Sequence, residues 1–395
     1  MRYRRFGKTE LQLSLFSLGT MRFASTQDAE AVIAAAFAQG INHIETAPAY
    51  GPSERYIGQT LSKLSVGSAS SGSQQLTRKA RKDYILTTKL TPTLTAAQVR
   101  PAIEASLENL GVGFIDCLAI HGINTPAHLE WASQQMLAAL YAAKAEGLIG
   151  HIGFSTHGPL DVIQQAIATQ RPGSQAGEQA FDFINLHYNY FFQRNAAAIA
   201  QAHAQDMGIF IISPADKAGM LYTPPDRLKT LCAPYDPLLL NYRWLLSQPH
   251  ITTLSLGPAI PSELDWPLQV ADSDGPLSEA EQQSIKKLEQ AQQDSLGQTR
   301  CAQCHECLPC PETINIPEVL RLRNLAVAYD MEAFGQYRYG MFENAGHWFP
   351  GRPGDRCTNC GDCLPRCPEQ LDIPTLLRDT HQRLKGKTRR RLWED

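Results

Sequence analysis

Two compact runs contain eight of the ten cysteines in this chain. The first run is Cys301, Cys304, Cys307 and Cys310, followed by Pro311, and the second is Cys357, Cys360, Cys363 and Cys367, followed by Pro368. Thiolates that are separated by two residues can converge on one inorganic cluster. The spacing therefore predicts iron–sulfur ligation, and a structural zinc site is the main alternative.

The proline after each fourth cysteine indicates how the ligands are shared. In two-cluster ferredoxins, the cysteine before such a proline crosses over to ligate the other cluster. We therefore expect two [4Fe–4S] clusters, one held by Cys301, Cys304, Cys307 and Cys367 and the other by Cys357, Cys360, Cys363 and Cys310. An Ile-Pro pair and an apolar-periodic stretch follow each run, which predicts a helix after each cysteine loop. The long gap between the runs favours a mainly helical two-cluster domain.

The bulk properties are those of an ordinary globular protein. The chain has 395 residues, which favours at least two domains, and it combines 43% hydrophobic residues with a net charge of −3. No strong electrostatic field results, so we expect no nucleic-acid partner. No apolar run approaches the roughly 18 residues of a membrane helix, and the N-terminus lacks the apolar core of a secretory signal. Clustered cysteines without a signal are typical of ligands, and we expect a cytoplasmic protein without a membrane partner.

Short apolar runs alternate with amphipathic stretches over the first 270 or so residues, after an N-terminal hairpin-like segment. The predicted strands are Leu15–Leu18, Ile41–Thr46, Tyr84–Thr88, Phe114–Ile120, His151–Ser155, Phe183–His187, Ile209–Ser213 and Thr252–Leu256. Eight such units predict an α/β fold, a parallel (β/α)8 TIM barrel, with a doubly wound open sheet as the alternative. The absence of a G-x-G-x-x-G motif after an early strand weakens that alternative.

The predicted domains are a barrel over residues 1–275, a helical linker over 276–299 and an iron–sulfur domain over 300–395. Ser65–Gln75 and Gln170–Gln179 are rich in small and polar residues and are predicted to be surface loops. The basic C-terminal tail is predicted to be solvated, with docking of an acidic electron carrier as the alternative.

Ionisable residues occupy three consecutive predicted strand ends. Glu45, Lys89 and His121 lie at the ends of strands two, three and four, and Tyr50 lies in the loop after Glu45. Catalytic groups of a barrel gather at the C-terminal ends of its strands. Each residue alone could have a structural role, but their common position favours a catalytic site.

The motifs around these residues resemble the aldo/keto reductase family. The most specific is the run from Glu45 to Glu54, ETAPAYGPSE, and others are Leu18–Arg22, Thr87–Lys89 and Gly153–Ser155. A branch of that family carries a C-terminal cysteine domain, so the resemblance covers nearly the whole chain. It implies a barrel that oxidises or reduces a small carbonyl or alcohol.

The family acts through a tetrad of Asp, Tyr, Lys and His, and the resemblance implies the corresponding roles here. Tyr50 would be the general acid, Lys89 would lower its pKa, and His121 would orient the carbonyl. Glu45 stands where the family usually has Asp and would hold Lys89. Glutamate adds one methylene, which alters the reach of the ion pair.

The resemblance also implies cofactor positions. They are Met21, Ser155, Thr156, Asn185, Ser213 and Gly257. Asn185 replaces a commoner Gln, and Ile212 stands where many members stack a Tyr on the nicotinamide. The cations that bind a 2′-phosphate in many members are missing from the last strand's loop, where Glu263 lies nearby. NAD(P)H is the expected cofactor, and a flavin is the alternative because it can split an electron pair.

Together these features predict an oxidoreductase that couples carbonyl or alcohol chemistry in the barrel to electron transfer through iron–sulfur clusters. A one-electron carrier such as a ferredoxin would be the protein partner. A redox-sensing or electron-transfer protein with a vestigial barrel is the alternative function. Clusters that only clamp a small domain are a third reading.

Overall fold

A computed structural model of the protein describes residues 1–66, 80–174 and 177–388. Most of the predicted loop Ser65–Gln75 and the end of the basic tail lie outside these residues. The chain forms two compact units. The first comprises Met1–Pro214 and Tyr242–Pro276, and the second comprises Ala215–Asn241 and the residues from Leu277 onward. The segment Ala215–Asn241 thus groups with the cysteine-bearing part of the chain, whereas the boundaries given above assign it to the barrel.

A closed parallel barrel forms the first unit. Strands β1 (Tyr3–Arg5) and β2 (Gln12–Ser14) make an antiparallel hairpin before it. The barrel strands are β3 (Phe16–Gly19), β4 (His43–Glu45), β5 (Ile85–Leu90), β6 (Ile115–His121), β7 (Ile149–Ser155), β8 (Phe183–Leu186), β9 (Gly208–Ile211) and β10 (Thr253–Leu256). Each pairs with the next, and β10 closes against β3. The predicted barrel is confirmed, and the open sheet is excluded.

Helices connect the barrel strands. They are α1 (Thr26–Ala38), α2 (Ser53–Val66), α3 (Ala96–Leu110), α4 (Pro126–Trp131), α5 (Leu137–Ala145), α6 (Leu160–Ile167), α7 (Ala196–Ala204), α8 (Asp226–Cys232) and α9 (Pro237–Leu246). Helix α1 shows why such a segment is helical. The Ser25 side chain caps its first turn, and one face is buried through Ala29, Val32, Ile33 and Ala36. A π-helical turn over Ala132–Met136 separates α4 from α5, which the apolar periodicity did not predict. The predicted loop Gln170–Gln179 is closed by an antiparallel bridge between its end residues.

The second unit is mainly helical. Its helices include α10 (Glu279–Leu296), α11 (Ile316–Tyr329), α12 (Glu332–Tyr339) and α13 (Ile373–Leu384). Helices α11 and α13 begin in the same way, with Asn315 or Asp372 as N-cap and a proline in the first turn, as the repeated Ile-Pro pairs predict. Helix α11 is buried on nearly all sides and forms the centre of this unit.

Among the described residues, no helix combines the length and the apolar character that crossing a membrane requires.

Candidate active site and cysteine cavities

The four predicted catalytic residues lie together at the C-terminal ends of neighbouring strands. Glu45 ends β4, Lys89 lies at the end of β5, and His121 ends β6. Tyr50 closes a short 3-10 turn that begins at Pro48, directly after β4. Parallel pairing of β4 with β5 and of β5 with β6 brings these strand ends side by side.

Lys89 is the centre of the group. Its Nζ contacts the Glu45 carboxylate and donates to the Tyr50 hydroxyl at 2.9 Å and to the Thr46 carbonyl at 3.0 Å. Lys89 is 2% exposed and Glu45 is 4% exposed. The longer glutamate side chain therefore still reaches the lysine. The Tyr50 and His121 rings meet edge to face, with their centroids 5.7 Å apart.

Burial governs the proton affinities at this site. It raises the pKa of Tyr50 and lowers the pKa of Lys89, because a charged form is poorly solvated there. Contact with the Glu45 carboxylate opposes the shift at Lys89. The loss of water around the phenol therefore outweighs the lowering expected from Lys89, and the net shift of the Tyr50 pKa is upward. Tyr50 is protonated near neutral pH, as a proton donor must be.

A row of polar residues continues from the tetrad around the barrel mouth. His121 on β6 pairs in register with Ser155 on β7, and Ser155 pairs with Asn185 on β8. The Asn185 side chain is fully buried, and neither its amide nitrogen nor its amide oxygen has a hydrogen-bond partner among the described residues. Buried amides without partners are rare and call for a ligand or an ordered water. A carboxamide would satisfy both atoms, because it offers a donor and an acceptor.

The other predicted cofactor residues differ in their hydrogen bonding and in their exposure. Ser155 accepts a hydrogen bond from the Gly122 amide and keeps its own hydroxyl proton to donate. The Thr156 hydroxyl is already used, because it donates to the Ile123 carbonyl and accepts from the Gly158 amide. Ser213 follows β9 in a left-handed conformation. Met21 and Gly257 are exposed in the loops after β3 and β10.

A charged clamp joins these two loops. The Arg22 guanidinium donates to both carboxylate oxygens of Glu263 and to the Gly257 carbonyl. Glu263 also accepts from the Ala259 amide at 2.8 Å. A carboxylate therefore already occupies both the Ala259 amide and the Arg22 guanidinium, and a second anion would have to displace it from these donors.

The sequence reasoning missed a histidine pair at the same end of the barrel. His187 Nε2 lies 2.7 Å from His157 Nδ1, and His187 Nδ1 lies 3.0 Å from the Ile212 carbonyl. A carbonyl can only accept, so His187 carries its proton on Nδ1 when it is neutral. His157 then donates to His187 from Nδ1. In the sequence, this pair could have been inferred from its position, because His157 and His187 come just after the ends of β7 and β8.

The eight clustered cysteines line two cavities in the second unit. The first thiol cavity is lined by Cys301, Cys304, Cys307 and Cys367, together with His305 and Leu320 among others. The second thiol cavity is lined by Cys310, Cys357, Cys360 and Cys363, together with Arg366 and Leu377 among others. Each cavity thus takes three cysteines from one run and one from the other.

The chemistry of these thiols fits a metal cluster. Burial raises the pKa of Cys307 to about 12 and also raises those of Cys301 and Cys363. Such thiols become thiolates only when a metal replaces the proton. The loops fold alike in the two runs, since Gln303 and Asn359 share a left-handed backbone, as do His305 and Gly361. No group of three His, Cys, Asp or Glu side chains within the described ranges is gathered around a single-ion site.

Two family models match adjoining segments of the sequence. The model of the aldo/keto reductase family matches residues 16–290, over most of the barrel and its helices. The chain belongs to the aldo/keto reductase family. A second model, the 4Fe-4S dicluster domain, matches residues 300–371. The family resemblance inferred from the motifs is therefore confirmed for both parts of the chain, and iron–sulfur ligation is supported over structural zinc.

Relatives with assigned activities are oxidoreductases. L-galactose dehydrogenase of Arabidopsis thaliana is 28% identical over 239 residues, which is 56% of this chain and 68% of that protein. NADH-specific methylglyoxal reductase of Escherichia coli is 29% identical over 184 residues, which is 40% of this chain and 56% of that protein. The chain thus matches about half to two thirds of these relatives' lengths.

A solved structure supports the fold. The holo form of an aldo-keto reductase from Bacillus halodurans superposes with a TM-score of 0.59 at 20% identity, covering 73% of this chain and 96% of the other. At this identity the likeness concerns the fold alone. Oxidoreductase chemistry is supported by the family and its named members, whereas the substrate and the partner are not.

Proposed function

We propose that the barrel interconverts a small carbonyl compound and its alcohol with a nicotinamide cofactor, and that the second unit holds two [4Fe–4S] clusters that pass single electrons. The observation that carries the proposal is the buried chain from Glu45 through Lys89 to the Tyr50 hydroxyl, with His121 against the Tyr50 ring. The family membership supports the reaction class.

The proposed roles follow from this geometry. A bound nicotinamide would supply a hydride to the carbonyl carbon. Tyr50 gives its proton to the carbonyl oxygen, so hydride and proton together convert the carbonyl into an alcohol. Lys89 already donates to the Tyr50 oxygen and stabilises the phenolate that forms, while Glu45 keeps the ammonium in place. His121 lies beside the Tyr50 ring, where it can orient the carbonyl.

Two features support the cofactor assignment. The unpartnered Asn185 amide and the donor capacity of Ser155 suit a nicotinamide carboxamide. Glu263 occupies the Arg22 guanidinium, a cation that could otherwise bind a 2′-phosphate, and therefore favours NADH over NADPH. Thr156, Ser213, Met21 and Gly257 stay predicted cofactor contacts.

For the second unit we propose crossed ligation, with each thiol cavity holding one cluster. Such a cluster would supply one-electron transfer. A hydride equivalent is two electrons and one proton, whereas each cluster passes one electron, so two clusters match its electron count only when the barrel cofactor or substrate exchanges electrons singly. A one-electron carrier such as a ferredoxin would be the partner. A flavin is the alternative barrel cofactor, because it accepts a pair and releases single electrons.

Anaerobic titration with NADH and NADPH tests the barrel assignment, together with turnover of a panel of small carbonyls. We expect NADH to bind and Asn185→Leu to weaken that binding about tenfold, because a buried carboxamide contact is lost. Tyr50→Phe should keep binding and lower kcat/KM by about 10²–10⁴-fold. The matched control is Tyr56→Phe. The Tyr56 hydroxyl donates to the Ala24 carbonyl outside the site, so its removal should leave turnover unchanged.

Each opposite result has a definite meaning. If neither nucleotide binds while the protein contains flavin by absorbance, the nicotinamide assignment is wrong. If Tyr50→Phe turns over every accepted carbonyl at the rate of the unmodified enzyme, the tetrad is not the catalyst. A protein that holds clusters but turns over no carbonyl favours the redox-sensing function with a vestigial barrel.

A further inference from the structure

The two halves of the cysteine unit differ at one corresponding position. Gln303 lies between Cys301 and Cys304, and Asn359 lies between Cys357 and Cys360. Both have the left-handed backbone conformation, at φ of 62° and 59°. Their side chains nevertheless have different partners, which makes the surroundings of the two thiol cavities chemically unequal.

Gln303 donates to a ligand sulfur. Its Nε2 lies 3.2 Å from Cys301 Sγ and 2.9 Å from the Pro317 carbonyl at the start of α11. Both partners are acceptors, so the amide nitrogen and not the amide oxygen must face the sulfur. The side chain thus stabilises negative charge on this sulfur.

Asn359 makes no such contact. Its Oδ1 accepts from Arg378 on α13 at 2.5 Å, and Arg378 also donates to Thr375 on the same helix. Among the hydrogen bonds of the described residues, no side chain donates to Cys357 Sγ. The second thiol cavity instead has Arg366 in its lining, whose guanidinium donates to the Asp362 and Pro309 carbonyls.

We propose that Gln303 is a positioning residue that raises the reduction potential of the cluster held by Cys301, Cys304, Cys307 and Cys367. This inference rests on the iron–sulfur part of the proposed function. Reduction adds one negative charge to the cluster and its sulfurs, and a hydrogen-bond donor stabilises the more negative state. Because Asn359 is turned to Arg378, the other cluster lacks this contribution, and the two clusters can be reduced one after the other.

An anaerobic redox titration followed by EPR tests the proposal on the full chain. Gln303→Leu should lower one of the two midpoint potentials by about 59 mV, a tenfold change in the one-electron equilibrium, and leave the other unchanged. Gln303→Lys keeps a donor and adds positive charge, so it should raise the same potential. A merely structural role would not produce opposite signs. Asn359→Leu is the matched control and should move neither potential, because its contact is to Arg378.

The outcomes separate the two proposals. An iron content near zero after anaerobic purification and reconstitution contradicts the proposed function itself. If both clusters are present and neither Gln303 variant moves a potential, the inference about Gln303 is wrong although the clusters stand. A shift of both potentials in the same direction by Leu and Lys also contradicts it, because that result reports distortion of the loop. If the Leu variant loads no iron, a raised potential in the Lys variant supports the proposal and an unchanged one overturns it.

Discussion

At the residue scale, we expect the buried contact between Glu45 and Lys89 to set the stability of the barrel site and, under the proposed function, its chemistry. Both side chains are almost fully buried, so removal of one leaves the other charged and poorly solvated. We expect Lys89→Met to cost about 3–5 kcal/mol of unfolding free energy, and Glu45→Gln to cost a similar amount. Urea unfolding followed by circular dichroism measures this loss.

The double variant separates the ion pair from other effects. Glu45→Gln combined with Lys89→Met removes both charges. The loss of unfolding free energy in this double variant should be smaller than the sum of the two single losses by about 2 kcal/mol or more. Under the proposed function, carbonyl turnover should be lost in the Lys89 variant and should not return in the double variant, since neither has an ammonium that donates to Tyr50. Strictly additive losses would show that the two charges do not interact in the folded protein.

Some of these residues could be predicted from their order along the chain. Glu45, Lys89 and His121 end three consecutive strands, and a closed parallel barrel must bring such ends together. The state of each side chain could not be predicted in the same way. The raised pKa of Tyr50, the unpartnered amide of Asn185 and the Gln303 contact to Cys301 depend on how neighbouring groups fill space.

At the element scale, the barrel strands enclose a polar layer that contains a buried histidine. The His43 ring lies between the Ser17 and Thr87 hydroxyls, at 2.6 and 2.7 Å, and Ser17 also contacts Thr253. These residues belong to four adjacent strands, β3, β4, β5 and β10. Burial is the main reason that the pKa of His43 falls to about 3, and the charge of Lys89 adds a smaller effect.

This shift predicts how stability depends on pH. An unfolded histidine binds a proton near pH 6.5, whereas folded His43 stays neutral down to about pH 3. Between these values the unfolded state binds more protons, so stability falls with falling pH by up to about 1.4 kcal/mol per unit from this group. We expect His43→Gln to lose stability at pH 8 but to show a shallower decline from pH 6.5 to 5.

Chemical unfolding at several pH values measures the difference in slope. Thr26→Ala provides the control, because it removes a hydroxyl that contacts Gln59 and no ionisable group, so the decline should stay unchanged. Equal slopes for the unmodified protein and the His43 variant would mean that His43 is protonated in the folded state.

The elements themselves were largely predictable. All eight barrel strands overlap the predicted runs, because most of their residues are apolar and buried, although β4 and β5 also carry His43, Thr87 and Thr88. The π-helical turn at Ala132–Met136 was not predictable, because it inserts one residue into a pattern that otherwise continues as a helix. The paired helix starts at Asn315 and Asp372 were predictable, since a polar cap and an early proline recur at the same distance from each cysteine run.

At the scale of the whole molecule, the chain combines a family barrel with a dicluster unit that contains a segment from between β9 and β10. No pattern in Ala215–Asn241 distinguishes it from the barrel, because its helix α8 has an ordinary amphipathic sequence. Its assignment depends on long-range packing: α8 packs against α10, and the Lys287 ammonium donates to the Ala233 carbonyl. Such packing could not be inferred from local periodicity.

Crossed ligation is the prediction that concerns the unit as a whole, since it requires both runs to close both cavities. Replacing Cys357, Cys360 and Cys363 by Ala should remove one cluster and leave about four iron atoms per chain. Adding Cys310→Ala to this triple variant should then remove no further iron, because Cys310 lines the cavity that is already empty. Adding Cys367→Ala should weaken or abolish the remaining cluster, which Cys367 would ligate.

Self-contained runs would give the reverse dependence, with Cys310 essential and Cys367 dispensable in the triple variant. Iron and sulfide counts after anaerobic reconstitution, together with the EPR spectrum of the reduced protein, distinguish the two patterns. The mirror experiment begins from Cys301, Cys304 and Cys307 replaced by Ala, where Cys310 should become essential and Cys367 dispensable. Agreement of both experiments would assign all eight thiols, because each triple variant leaves one cluster and identifies the cysteine of the other run that completes it.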